Sequence, residues 1–100
     1  MQGLLVVYYG CMSARLSEQE LQDIISHAES LVEIGGTYRH YKGKEYVVLD
    51  IVIIESTNEA AVVYEAQYGS KLKFVRPLHV WLEVVEVDGQ AIQRFGSIDE

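Results

Sequence analysis

Residues 36–46 read GTYRHYKGKEY, and 44–54 continue as KEYVVLDIVII. The hydrophobic period changes at this point, and that change decides the fold. Upstream, Leu21, Ile24, Ile25, Ala28, Leu31 and Val32 recur at helical spacing on one face. Ser17 followed three residues later by Glu20 is a capping-box pattern, and Glu18, Glu20 and Asp23 sit where they complement the helix dipole. Gly35 and Gly36 then offer a left-handed stop, so the spacing predicts a helix over 17–34.

Downstream of Thr37 the period is two. KEYVVLDIVII (44–54) is rich in Val and Ile and long enough to bend, ESTNE (55–59) is a polar turn, and AAVVYEAQY (60–68) is a second long strand. That strand puts Val62, Tyr64, Ala66 and Tyr68 on one face and Val63, Glu65 and Gln67 on the other. LKFVR is a short strand stopped by Pro77, PLHVW suits a 3₁₀ turn, and LEVVEV closes the sheet. Asp88-Gly89 is a hairpin signal that returns the chain through QAIQRF. A helix followed by about five short strands predicts a mainly β (α+β) fold. The expected architecture is an N-terminal amphipathic helix (residues 1–35 with its extension) and an SH3-like small β-barrel over 36–100, as one structural unit. An open, curled antiparallel sheet packed on the helix is the alternative.

At 100 residues the chain is one domain's worth, able to bury about two thirds of its unfolded surface. The net charge of −7 is unevenly placed. Arg15 stands against Glu18, Glu20, Asp23, Glu29 and Glu33, and Arg94 against Glu83, Glu86, Asp88, Asp99 and Glu100, while residues 37–82 balance at +1. So negative a field disfavours non-specific attraction to nucleic acid or anionic membrane, but leaves room for a local basic patch in the middle. Cys11 is the lone cysteine, which excludes an intramolecular disulfide and a thiolate cluster and makes a cytoplasmic setting the expectation. The apolar run Leu4–Tyr9 is too short to span a bilayer. VYYGC resembles a lipoprotein cleavage site, but with Tyr8 where that signal wants leucine. It reads instead as an edge strand, or as an extension ahead of a start at Met12.

YRHYKGKEYVVL, VVYEAQYG, FVRPL and EVVEVDGQAIQRF, in this order, resemble the bacterial family known as domain of unknown function 1653. Its members show Y-x-H-Y-K-G, V-V-Y-x-x-L-Y-G, W-V-R-P and a V-D-G-x-x-x-x-R-F tail. The resemblance covers roughly residues 36–95. Phe74 stands where the family has Trp before V-R-P, Gln67 where Leu is usual, and VIIESTNEAAVVY lacks a His-Ser-Glu-Thr run. The family brings no established activity; it implies a compact domain whose shared residues are aromatic and basic.

Seven of the ten aromatic residues are tyrosine, and three of these, with His40, Arg39, Lys42 and Lys44, crowd the opening stretch. Alternation there gives a mixed aromatic and cationic strip, suited to stacking an unpaired base, or else to packing a barrel edge beside solvated cations. Lys42-Gly43-Lys44 reads as a turn. Arg76, at a strand end before Pro77, either grips a carboxylate or phosphate with Tyr41, Tyr64 or Tyr68 nearby, or ties the turn to Glu45 or Glu65. His79 beside Trp81 reads as a cap on the barrel end. His27, His40 and His79 have no metal-ligand spacing. Nothing resembles a G-x-S-x-G elbow, a Cys–His pair or a phosphate-cradling glycine loop, and Glu83 and Glu86 point to opposite faces of a strand. Neither catalytic residues, metal nor cofactor is therefore implied. The expected function is a non-catalytic module binding a nucleotide, single-stranded RNA segment or peptide through Tyr38, His40, Tyr41, Lys42, Tyr64, Tyr68, Arg76 and Trp81. The alternative is an assembly domain forming a homodimer through the helix and the N-terminal strand.

Overall fold

The structure, a computed structural model, describes residues 15–98. The expectations for Leu4–Tyr9, Cys11 and Met12 fall outside the described residues. Helix α1 spans Glu18–Leu31 and starts with the capping box intact: Ser17 Oγ accepts from Glu20 N–H at 3.1 Å, and Glu20 Oε1 accepts from Ser17 N–H at 2.8 Å. It ends earlier than the sequence suggested, and not at a glycine. Val32 turns to extended backbone (φ −134°, ψ 125°) with its side chain buried in the core. The next backbone donor, Glu33 N–H, is then taken by the Tyr38 hydroxyl at 2.9 Å. Gly35 instead serves the following turn, where it donates to Val48 O at 2.8 Å.

The chain then forms β1 (Thr37–His40), β2 (Glu45–Ile54), β3 (Glu59–Ala66), β4 (Lys73–Pro77), a single helical turn α2 (Leu78–Trp81), β5 (Val84–Val87), β6 (Gln90–Gln93) and β7 (Phe95–Ser97). Five strands make an antiparallel sheet in the order β4-β3-β2-β1-β7, while β5 and β6 form a separate two-stranded ribbon. This corrects the barrel expectation. Among the described residues no ladder joins edge strands β4 and β7, so the sheet is not a closed barrel. The residues expected to close it, LEVVEV, are drawn into a hairpin by Asp88 (φ 53°) and Gly89 (φ 80°), the paired positive φ values of a type I′ turn. Only the short β7 is left to join β1. The edges nevertheless approach through side chains, the Arg76 guanidinium of β4 lying 5.3 Å from the ring of Phe95 on β7.

A register shift between Val48 and Asp50 moves the inward side of β2 from Tyr46 and Val48 to Ile51. The inner face therefore carries Tyr38, Tyr46, Val48, Ile51, Ala60, Val62, Tyr64 and Phe95, and α1 lays Ile24, Ile25, Ala28 and Val32 against it. The helix packs on β2 and β3 through Ile24, Ile25 and Ala28, while Leu31 of the same stripe stays 47% exposed. PLHVW, expected as a 3₁₀ turn, closes an α-helical turn, with Leu82 N–H donating to Leu78 O at 2.9 Å. That winding carries Trp81 into the core, where it is 2% exposed.

Replacing Tyr38 by Phe keeps the ring but removes the acceptor for Glu33 N–H. Urea unfolding should show a loss of about 1 kcal/mol, and the Glu33 amide should exchange faster with solvent.

Candidate functional site: the open end of the inner face

Because α1 packs chiefly on β2 and β3, the inner face has a covered end and an end built by aromatic and cationic side chains. The floor is a parallel stack of Trp81 on Phe95, with centroids 3.8 Å apart and planes within 3°. Tyr64 packs edge-on to both rings, at 4.9 and 5.7 Å. Around this floor stand His40 and Tyr46, at 5.0 and 5.8 Å from Phe95, then Tyr68 at 5.6 Å from Tyr46 and Phe74 at 5.7 Å from Tyr64. Tyr68 and Phe74 keep 38% and 40% of their surface open to solvent. The Tyr46 and Tyr68 hydroxyls share a hydrogen bond of 2.7 Å.

Six of the eight lysines and arginines divide into two groups; Arg15 and Lys71 belong to neither. Arg39 pairs with Glu45 at 2.8 Å, Lys73 with Glu65 at 3.6 Å and Arg94 with Glu83 at 2.7 Å. Lys42, Lys44 and Arg76 pair with no carboxylate among the described residues; they face rings instead. Lys44 Nζ lies 4.5 Å from the centre of Tyr68 and Lys42 Nζ 5.8 Å from that of Tyr41. Arg76 Nε donates to the Tyr64 hydroxyl at 3.1 Å, which corrects the expected tie to Glu45 or Glu65: those carboxylates are held by Arg39 and Lys73 on neighbouring strands. Arg94 lies 5.9 Å over Tyr41, and its buried Nε has no hydrogen-bond partner.

Titration behaviour follows from this arrangement. Burial, then the charges of Arg76, Arg94 and Lys42, hold the His40 imidazole below its usual value of 6.5. Burial, then the hydrogen bond shared with Tyr68, pushes the Tyr46 phenol up to about 12.

Seven of the eight predicted residues are linked by ring and cation contacts at this end, with different roles, whereas Tyr38 turns its hydroxyl to Glu33 beside the end of α1. Tyr38 and Tyr64 are buried, and Trp81 lies beneath Phe95, so these three shape the floor. Strand β1 stops at His40. Tyr41 and Lys42 therefore lie in the turn to β2, where Gly43 takes φ 110° and donates to His40 O at 2.7 Å. Lys42 N–H donates to His40 Nδ1 at 3.1 Å, which leaves Nε2 as the protonated nitrogen of the neutral ring. Tyr46, Phe74, Phe95, Lys44 and Arg94 also belong to the site and were missed. Tyr46 had a legible signal, since an antiparallel partner of Tyr38 must share its face. His79, expected at the barrel end, is exposed and sits 3.2 Å from Glu59. It lines a separate groove of about 470 Å³ between α1, the β2–β3 turn and α2. Among the described residues no cluster of His, Cys, Asp and Glu is able to hold a metal, and no helix is long and apolar enough to cross a membrane.

A family model described as protein of unknown function (DUF1653) matches residues 36–97, and the chain belongs to that family. Among solved structures it is similar to the crystal structure of a DUF1653 protein from Bordetella bronchiseptica. The two are 34% identical with a TM-score of 0.57, over 62% of this chain and 82% of that one. A search of the curated proteins returns no match.

Spectrophotometric titration should show the Tyr46 phenol ionising late, at about pH 12. Tyr68→Phe removes a hydrogen bond that favours the neutral phenol, so the late phase should move to lower pH.

Proposed function

We propose that the open end of the inner face is a non-catalytic binding site for a nucleotide or a short single-stranded RNA segment. The observation that carries this reading is the placing of Lys42, Lys44 and Arg76 among aromatic rings with no carboxylate partner among the described residues, in a chain of net charge −7. Acid groups are abundant, yet the cations at this end are left to the rings. A base stacked on Tyr68 or Phe74, whose faces are partly open, gains about 1–3 kcal/mol. Its phosphates then meet cations that need not first be detached from an acid. The acidic flanks repel a long polyanion, which favours a ligand of few nucleotides. A peptide bearing an aromatic and an acidic side chain is a weaker fit, because the rings lie around a floor rather than along a groove. Dimerisation through α1 is weakened as a reading, because Ile24, Ile25, Ala28 and Val32 are already packed against the sheet.

Amide NMR titration with short single-stranded RNA at low and moderate salt tests the proposal. Shifts confined to 40–46, Tyr68 and 74–76, weakening as salt rises, are the expected result. Lys42→Ala with Lys44→Ala should weaken binding while leaving the unfolding midpoint close to unchanged, since neither side chain is buried. No shift at these residues with millimolar ligand removes nucleic acid from consideration.

A further inference from the structure

Arg76 spends Nε on the Tyr64 hydroxyl, and its two Nη groups have no partner among the described residues. Its guanidinium lies over one face of Phe95, whose ring meets the edge of His40 at 5.0 Å. On the other side of His40, Tyr41 approaches at 4.5 Å, and over Tyr41 lies Arg94 with its orphaned Nε. Phe95 and Tyr41 thus each link His40 to an arginine, the two coming from different strand regions, and Lys42 follows it in the turn. The groups facing the imidazole are Arg76 from β4, Arg94 from the β6–β7 connection with its partner Glu83, Tyr41 and Lys42 from the β1–β2 turn, and Phe95 from β7. Glu83 is the one acid among these described groups, and it is engaged by Arg94.

We propose that Arg76, His40 and Arg94 form a seat for the phosphate group of the ligand, and that an anion bound there is joined by a proton on His40. This rests on the reading of the open end as a nucleotide site and assigns its phosphate subsite. The chemistry is direct. The free Nη pair of Arg76 presents the fork that matches two oxygens of a tetrahedral anion, and His40 presents Nε2–H. Without an anion, protonating His40 would break the hydrogen bond from Lys42 N–H to Nδ1 and add one more positive charge among three. An anion at the seat reverses that balance and stabilises the imidazolium, so by linkage protonation of His40 tightens the anion.

Sulfate is the first probe, because its charge is constant from about pH 5.5 to 7.5, so any pH dependence belongs to the protein. Sulfate is expected to shift the His40 ring and Arg76 side-chain NMR signals, and to bind roughly three- to tenfold more tightly at about pH 5.5 than at about pH 7.5. His40→Gln should still bind sulfate but with no pH dependence. Arg76→Gln, which keeps a donor near the Tyr64 hydroxyl, should lose sulfate binding while far-UV circular dichroism confirms the fold. Uridine 5′-monophosphate should shift Arg76 and His40 together with the Tyr68 and Phe74 rings, whereas uridine alone should reach only the rings. Sulfate binding that is indifferent to pH, or unchanged in Arg76→Gln, overturns the seat. If sulfate is silent while single-stranded RNA shifts Tyr68 and Phe74, the seat is wrong and the open-end site stands. If both are silent, both readings fail.

Discussion

The stack of Trp81 on Phe95 is the contact on which the rest of the inner face depends. Strand β7 contributes only Phe95–Ser97 to the sheet, and α2 is a single turn. Neither element is long enough to hold its place by backbone hydrogen bonds alone. Two nearly parallel rings with centroids 3.8 Å apart fix both. Tyr38 and Tyr64 close on Trp81 edge-on, at 5.4 and 4.9 Å, and His40, Tyr46 and Arg76 take their positions from Phe95. The same stack replaces the missing barrel ladder. It spans the gap between the two edges with rings, and Arg76 closes over it.

The covered and open ends of the face follow from where the apolar and charged residues lie along the chain. α1 supplies the apolar cover for β2 and β3 and carries its acids outward, into the solvated flank. The cations concentrate in the β1–β2 turn and on β4, both at the end the helix does not reach. Ion pairing uses Arg39, Lys73 and Arg94, exposed or half-exposed pairs worth little to stability. Lys42, Lys44 and Arg76 are left beside rings, an arrangement that contributes modestly to folding and is suited to recognising an anion attached to a flat group.

Much of this was legible in the sequence because local rules were strong there. Ser17 and Glu20 fixed the start of the helix, the Val- and Ile-rich runs fixed the two long strands, and Asp88-Gly89 fixed the hairpin. Three features depended on contacts distant in sequence and were not legible. The helix ended at Leu31 because Val32 enters the core and Tyr38 takes the next backbone donor. The sheet stayed open because the hairpin consumed the strand expected to close it. Phe95 and Phe74 entered the site through pairings with β1 and β3 that no local pattern announces. Alternation did place Tyr64 and Ala66 on the inner face, but it could not tell a ring on the floor from a ring at the rim.

At the open end, cations gather around His40 with no free carboxylate among the described residues to balance them. The ionisation of that one imidazole, followed by NMR in the ligand-free protein at low salt, tests this arrangement most directly. The midpoint should lie below 6.5, lowered first by burial and then by the charges of Arg76, Arg94 and Lys42, and it should rise in Arg76→Gln. A midpoint at or above 6.5, or one that does not move in Arg76→Gln, would mean that the arginine charge does not reach the ring, and would contradict the account.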